Sequence, residues 1–341
     1  MQSAVELRNW STVGRLAMPN AKVFVTSIVL CVVTAAIFAS WLPLQVSIVT
    51  LFLFAGPHNW FELRYFLMRL PVRFGRSRNF FLTAFAGLGV LTLAYVLLPL
   101  LYNASLWTDE AWSIVIASCN TMLLFWLGLL VWLRSKQKRH ASWTWTIPLG
   151  LVLASLNWLG PDLFSLAIVY VHPLIALWFL DRHLRRMRPA WLSAYRRCLC
   201  LLPLVLAGMI WQLSQTSALP EDNGLFWRIT QHSGAQLLPQ VSSHLLVAVH
   251  LFLEMLHYGV WIVALPLIGP TARFWNVKTV PVARHPKGFP RLVAGMLIAA
   301  LAGVAVLWLG FSVDYSTTRD IYFTVAIAHV LAEAPFLLRM L

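Results

Sequence analysis

Three histidine–glutamate pairs in this sequence share a spacing of four residues: His58 and Glu62, His250 and Glu254, and His329 and Glu333. That spacing places two side chains on one face of a helix. Of the twelve acidic residues in the chain, only these three glutamates fall in the interior of its long apolar segments. An unpaired ionisable side chain inside a membrane costs about 2.5–3.5 kcal/mol on insertion scales, so a bound partner is expected.

Two further histidines extend this pattern. His257 follows Glu254 by three residues, and this Glu-x-x-His spacing occurs in helix-bundle sites that bind two metal ions. His172 adds another imidazole in an apolar segment, next to Pro173. Neutral imidazoles and anionic carboxylates together suit one or two divalent ions, iron first, with manganese or zinc as alternatives. The predicted metal ligands are His58, Glu62, His172, His250, Glu254, His257, His329 and Glu333.

Other uses of these residues remain open. A single intramembrane histidine often hydrogen-bonds to a neighbouring helix, and a single His–Glu pair can be a neutralising pair. The same groups could also carry protons or ions through the membrane. Two facing imidazoles would suffice for haem, but haem would not explain the paired glutamates.

The elements that must position these residues are predicted to be membrane helices. The chain is 60% apolar and 11% charged, which is typical of an all-α, polytopic helix bundle rather than a soluble domain. Apolar segments long enough to cross about 30 Å of hydrocarbon predict about ten transmembrane helices. They lie at 23–41, 46–68, 79–101, 112–133, 143–159, 164–181, 198–215, 243–268, 292–311 and 321–341, in one integral-membrane domain over residues 1–341.

The distribution of charge predicts how these helices are oriented. All of the 26 Lys and Arg residues except Arg228 and Arg319 fall before the first segment, in or beside every second loop, or, like Arg339, near the C-terminus. Such loops face the cytoplasm in membrane proteins, so both termini are predicted to be cytoplasmic. Topology therefore accounts for the net charge of +14, and no nucleic-acid partner is expected. The chain is predicted to be a multi-pass protein of the bacterial inner membrane.

Four histidines fall outside the predicted helices and are assigned no chemistry. We place His140, His183 and His285 in basic cytoplasmic loops, and His232 in a loop on the opposite side. We expect Asn59, Tyr258 and Tyr322 to act as hydrogen-bond donors around the ligands. Pro57 and Pro173, each beside a candidate ligand, are expected to break the backbone hydrogen bonding locally and shape a cavity.

The segment Gly56-Pro57-His58-Asn59-Trp60-Phe61-Glu62 resembles the Pro-His-Gly-x-x-Asp motif of the Brp/Blh family, bacterial membrane dioxygenases that cleave β-carotene. The resemblance covers seven residues, with Asn59 in place of the Gly and Glu62 in place of the Asp. It implies that His58 is an iron ligand. It also implies that His172, His257 and His329 are the other imidazoles of a four-histidine site.

These observations lead to one leading hypothesis and one alternative. The first is a metal-dependent, iron-containing membrane oxidoreductase or oxygenase acting on a lipophilic substrate such as a carotenoid, isoprenoid or fatty chain. The alternative is a proton-coupled secondary transporter in which the His–Glu pairs exchange protons. Beyond the lipid bilayer and this substrate, the sequence identifies no protein partner.

Overall fold

A computed structural model describes residues 21–72, 74–104, 107–138, 143–220, 222, 224–268, 280–286 and 288–341. Within these residues the regular secondary structure is helical, and no strand occurs. The predicted all-α membrane helix bundle is therefore confirmed. Some residues considered above lie outside the described residues. They are Arg8, Arg15 and Arg273, which helped to predict the orientation, and His140, which was assigned no chemistry.

The helices are numbered here in chain order. Their bounds are α1 Ala21–Trp41, α2 Pro43–Arg69, α3 Arg78–Ala104, α4 Asp109–Gln137, α5 Thr146–Leu159, α6 Pro161–Met187, α7 Pro189–Leu199, α8 Leu201–Leu213, α9 Leu225–His232, α10 Ser243–Tyr258, α11 Leu265–Ile268, α12 Pro281–Arg284, α13 Pro290–Val313 and α14 Tyr315–Met340. A 3₁₀ turn, Gly75–Ser77, precedes α3, and a π-helical segment, Gly259–Ala264, joins α10 to α11.

Every predicted transmembrane segment coincides with a helix, but not every such helix is long and apolar enough to cross a membrane. Among the described residues eight helical segments meet both conditions. Helix α2 is long enough, yet it carries His58, Asn59, Glu62 and Arg64 and is too polar. Helix α5 has 14 residues and rises only about 21 Å at 1.5 Å per residue. Eight of the ten predicted transmembrane spans are thus supported.

Three polar residues that were predicted to lie outside the membrane helices lie in helices instead. Helix α14 begins at Tyr315 rather than 321, and Arg319 is only 5% exposed. His183 lies inside α6 and is buried, so its assignment to a cytoplasmic loop is wrong. His232 ends the short helix α9 and is not in a loop. Local charge favoured loops, whereas tertiary contacts satisfy these side chains within the bundle.

Helices α2, α6, α10 and α14 form the centre of the bundle and run in the same direction. The ring of His58 on α2 lies 5.3 Å from that of His257 on α10. Further along both helices, Phe66 lies 5.8 Å from Trp261. Since these contacts occur in the same order along both helices, α2 and α10 are parallel. The same order holds for α6 and α14 through the rings of His172 and His329, then Phe179 and Phe336.

A buried aromatic layer crosses these four helices. It consists of Phe66, Phe179, Trp261 and Phe336, with Phe66 and Phe336 stacked at 4.3 Å. Each member follows a candidate ligand on its own helix by three to seven residues. The candidate ligands therefore form one layer of the bundle, and the aromatic side chains seal it on the side of the helix C-termini.

Candidate metal centre

Six of the eight predicted ligands meet at the centre of the bundle. They form two groups, the first with His58, Glu62, His257 and His329, and the second with His172, His257 and Glu333. In each group, one ligand-type atom per residue lies within 4.8 Å of the others. His257 belongs to both groups. The six residues come from four helices, α2, α6, α10 and α14, so the tertiary fold is required to assemble them.

The four imidazoles are packed closely. The rings of His58 and His329 are 5.2 Å apart, and that of His172 lies 4.6 Å from His257 and 5.1 Å from His329. These are the four histidines that the family resemblance selects. Their convergence is a property of this fold, and their role as metal ligands stays a prediction.

Hydrogen bonding fixes which nitrogen of His58 faces the site. The Nδ1 atom donates to the carbonyl oxygen of Phe54, one turn earlier, at 2.9 Å. In a neutral imidazole the other nitrogen then carries a lone pair and no proton. His58 Nε2 is buried and has no hydrogen-bond partner. The ring is thus oriented as a metal-binding histidine usually is, with its second nitrogen held by the backbone.

Several other buried ligand-type atoms in the cluster lack a well-formed hydrogen bond: both carboxylate oxygens of Glu62, both ring nitrogens of His257, Nδ1 of His329 and Oε1 of Glu333. His257 and His329 approach the backbone at Pro173 and Ala326, and Glu333 approaches the side chain of Trp261. More than nine-tenths of buried polar groups in proteins are hydrogen-bonded, so a concentration of exceptions needs an explanation. Glu62 and Glu333 are almost fully buried and repel each other electrostatically. A bound cation would satisfy these atoms and offset both negative charges.

The second group is held together by direct contacts. His172 Nδ1 lies 3.2 Å from Glu333 Oε2, and His172 Nε2 lies 3.3 Å from Nε2 of His329. His172 therefore bridges a carboxylate on α14 and an imidazole one turn earlier on the same helix. This contact orients the ring of His329 within the cluster.

Each of the four helices carries a proline or a π-helical segment next to the cluster. Pro57 precedes His58 within α2, Pro173 follows His172 within α6, and Pro335 follows Glu333 within α14. Each proline removes a backbone hydrogen bond and favours a kink. On α10, the π-helical segment Gly259–Ala264 begins directly after Tyr258, next to His257. Such segments are frequent at functional sites.

A cavity of about 140 Å³ adjoins the cluster on the side away from the aromatic layer. His250 and Glu254 line this cavity but belong to neither ligand group. His250 Nδ1 lies 3.9 Å from Glu254 Oε2, so the pair is present as the spacing predicts, at a different place from the other two pairs. Tyr258 and Tyr322 also line the cavity.

Sequence reasoning missed the far end of this cavity. The ring of His232 stacks on Phe323 at 4.0 Å and lies 5.2 Å from that of His250. Burial lowers the pKa of His232 well below its ordinary value, and His250 and Arg319 lower it further, so the ring is neutral. The signal that could have located it is the short amphipathic segment Leu225–His232, which packs against α10.

No family model, no curated protein and no solved structure matches this chain. The interpretation of the site therefore depends on its own geometry and donor chemistry. Four imidazoles and two carboxylates fit a divalent transition metal, since nitrogen and oxygen donors of this kind bind iron, manganese and zinc.

Proposed function

We propose that this chain is a metal-dependent membrane oxidoreductase, with one or two divalent ions, most reasonably iron, held by His58, Glu62, His172, His257, His329 and Glu333. The observation that carries the proposal is the set of buried nitrogen and oxygen atoms, contributed by four helices, that lack a well-formed hydrogen bond. A purely structural pairing would instead satisfy these atoms within the protein.

The surroundings of the cluster suit chemistry on an apolar molecule. Ile168, Val169 and Val330 line the adjoining cavity beside the histidines, and its volume of about 140 Å³ admits part of an apolar chain rather than a whole lipid. The bundle buries the cluster, and Tyr258 and Tyr322 line the same cavity. Bound iron would supply the one-electron and oxygen chemistry of an oxygenase. A bacterial inner membrane is the location that we propose.

The decisive measurement is the metal content of the detergent-purified protein by plasma mass spectrometry, normalised to protein. We expect one or two equivalents of iron, manganese or zinc in the wild type and less than a tenth of that in the His257→Ala/His329→Ala double variant. His244→Ala is the matched control, because His244 lies on the same helix but bonds to the carbonyl oxygen of Ser40. A double variant that retains full metal content would refute the proposal.

One observation favours the transporter as a second candidate. The cavity connects the histidine cluster to Glu254, His250 and His232, a row of polar groups directed away from the aromatic layer. Such a row could conduct protons through the bundle. Proton flux into liposomes containing metal-free protein would support the transporter, and its absence together with bound metal would support the oxidoreductase.

A further inference from the structure

A second, separate cavity lies beyond the aromatic layer, towards the C-termini of α2 and α6. Its volume is about 140 Å³, roughly ten times the 10–15 Å³ that one water molecule requires. Arg64, Arg69 and His183 line it, together with Tyr65 and Trp261. No Asp or Glu is among the lining residues that the structure describes. We call this cavity the basic pocket.

The basic pocket contains a buried hydrogen-bond donor that lacks an acceptor. An Nη2 hydrogen of Arg69 is donated to Nδ1 of His183 at 3.0 Å, so Nδ1 acts as the acceptor. In a neutral imidazole the proton then resides on Nε2. His183 is 5% exposed, and its Nε2 atom is buried with no hydrogen-bond partner. An acceptor, and preferably an anionic one, is the group missing at this position.

Further positive charge surrounds the basic pocket. Arg186 interacts electrostatically with both His183 and Tyr65. Asp181, the acidic residue nearest to His183 along α6, accepts two hydrogen bonds from Arg196 at 2.7 and 3.1 Å. It is therefore already engaged outside the pocket.

Membrane topology alone explains only part of this arrangement. The bias of Lys and Arg towards cytoplasmic loops accounts for solvent-exposed residues such as Arg185. It does not account for Arg64, which is 4% exposed, or for a buried histidine beside an arginine. Like charges that gather around a cavity repel each other unless an anion binds between them.

We propose that the basic pocket binds the phosphate group of an anionic membrane lipid, held by Arg69 and His183, while the acyl chains of the lipid lie against the bundle. Basic pockets between membrane helices are suited to such headgroups. The guanidinium group of Arg69, which also lies 4.7 Å over the ring of Tyr65, presents several donors to phosphate oxygens. This site does not depend on the proposed metal centre, from which the aromatic layer separates it.

The test is native mass spectrometry of the full-length protein in detergent, titrated with phosphatidylglycerol or with phosphatidylcholine. We expect the wild type to bind phosphatidylglycerol at least tenfold more tightly than phosphatidylcholine. The Arg69→Gln/His183→Gln double variant should lose that preference. Arg185→Gln, on the exposed face of α6, is the matched control and should retain it. Metal content should be unchanged in all of these variants, so a failure of the lipid proposal can be distinguished from a failure of the metal proposal.

Two additions keep the outcome interpretable. Arg69→Lys preserves the charge and should retain most of the preference, which controls for misfolding of the double variant. Inorganic phosphate is the competitor: displacement of the lipid at millimolar phosphate would assign the site to the phosphate group alone, and no displacement would assign it to the intact lipid. Equal binding of both lipids by the wild type, or an undiminished preference in the double variant, would overturn the proposal.

Discussion

His257 is the residue at which the two candidate ligand groups meet. It is 2% exposed, neither of its ring nitrogens makes a well-formed hydrogen bond, and the rings of His58 and His172 approach it from different helices. A single imidazole has two coordinating nitrogens, so His257 could serve either group. Whether one or two ions bind is therefore a question about this residue, and the metal-to-protein ratio will answer it.

The glutamates allow a prediction in which stability and metal binding change in opposite directions. After removal of metal with a chelator, Glu62→Gln should be more stable than the wild type by about 1–3 kcal/mol, because a buried carboxylate without partners is lost. The same variant should lose most of the stabilisation that metal gives the wild type. Thermal unfolding with and without the chelator measures both quantities.

The control for this prediction is Glu254→Gln, which changes the same residue type outside the two ligand groups. It should keep the metal-dependent rise in unfolding temperature. If Glu62→Gln destabilised the metal-free protein as much as the metal-loaded one, then Glu62 would have an internal partner, and the argument for a cation would fail.

At the residue scale, the sequence predicted the ligand types but not their grouping. The four-residue spacing holds in all three pairs, because it depends only on helix geometry. Whether a pair reaches the cluster depends on its height along the helix. His250 and His257 lie on one face of α10, about 10 Å apart along its axis, so His257 reaches the cluster while His250 and Glu254 line the cavity beyond it. His232 and His183 were missed because polar neighbours in the sequence suggested loops.

Helix α2 depends on a glycine for its position in the bundle. A Cβ atom added at Gly56 would lie 3.0 Å from Cγ1 and 3.2 Å from Cα of Val304 on α13. These distances are shorter than ordinary van der Waals contacts, so the two helices approach as closely as they do because residue 56 has no side chain. Gly56 lies only two residues before His58, so the same contact sets the position of a candidate ligand.

This contact makes Gly56→Leu a sensitive variant. The larger side chain must separate α2 from α13, and overpacking of this kind costs about 1–3 kcal/mol. We expect a lower unfolding temperature and a reduced metal content, because His58 moves with the helix. Gly303→Leu on α13 is the matched control, since a Cβ atom there meets nothing within 4 Å. Unchanged metal content in Gly56→Leu would show that the cluster tolerates displacement of α2.

The helix positions could be predicted from apolar runs, but the helix ends could not. Apolarity located every helix that carries a candidate ligand. Helix α14 starts earlier than predicted because Asp314 caps it, accepting a hydrogen bond from the backbone N–H of Thr317 at 3.1 Å, and because Arg319 packs over the ring of Phe323. Neither interaction is visible in hydropathy. Helix α5 is short because Gly160 and Pro161 end it and begin α6.

At the scale of the whole molecule, basic residues from distant parts of the sequence meet at one end of the bundle. Arg134 on α4 donates hydrogen bonds to the carbonyl oxygens of Leu338 and Arg339 at the end of α14, and Lys138 bonds to the carbonyl oxygen of Leu341. Arg69 and His183 pair at the ends of α2 and α6. Asp320 pairs with Arg228 near the start of α14, at the opposite end.

This separation of charge predicts the orientation of the protein. Lys and Arg are retained on the cytoplasmic side of membranes, so the end that carries Arg134, Lys138 and residue 341 should face the cytoplasm. A green fluorescent protein fused after Leu341 should therefore fluoresce in bacterial cells, and alkaline phosphatase fused at the same place should be inactive. A phosphatase fused after Asp162, between α5 and the rest of α6, should be active. The reverse pattern would show that the bundle has the opposite orientation in the membrane. The basic pocket would then lie on the outer face, where the negative surface potential of the cytoplasmic leaflet could not favour binding of an anionic lipid.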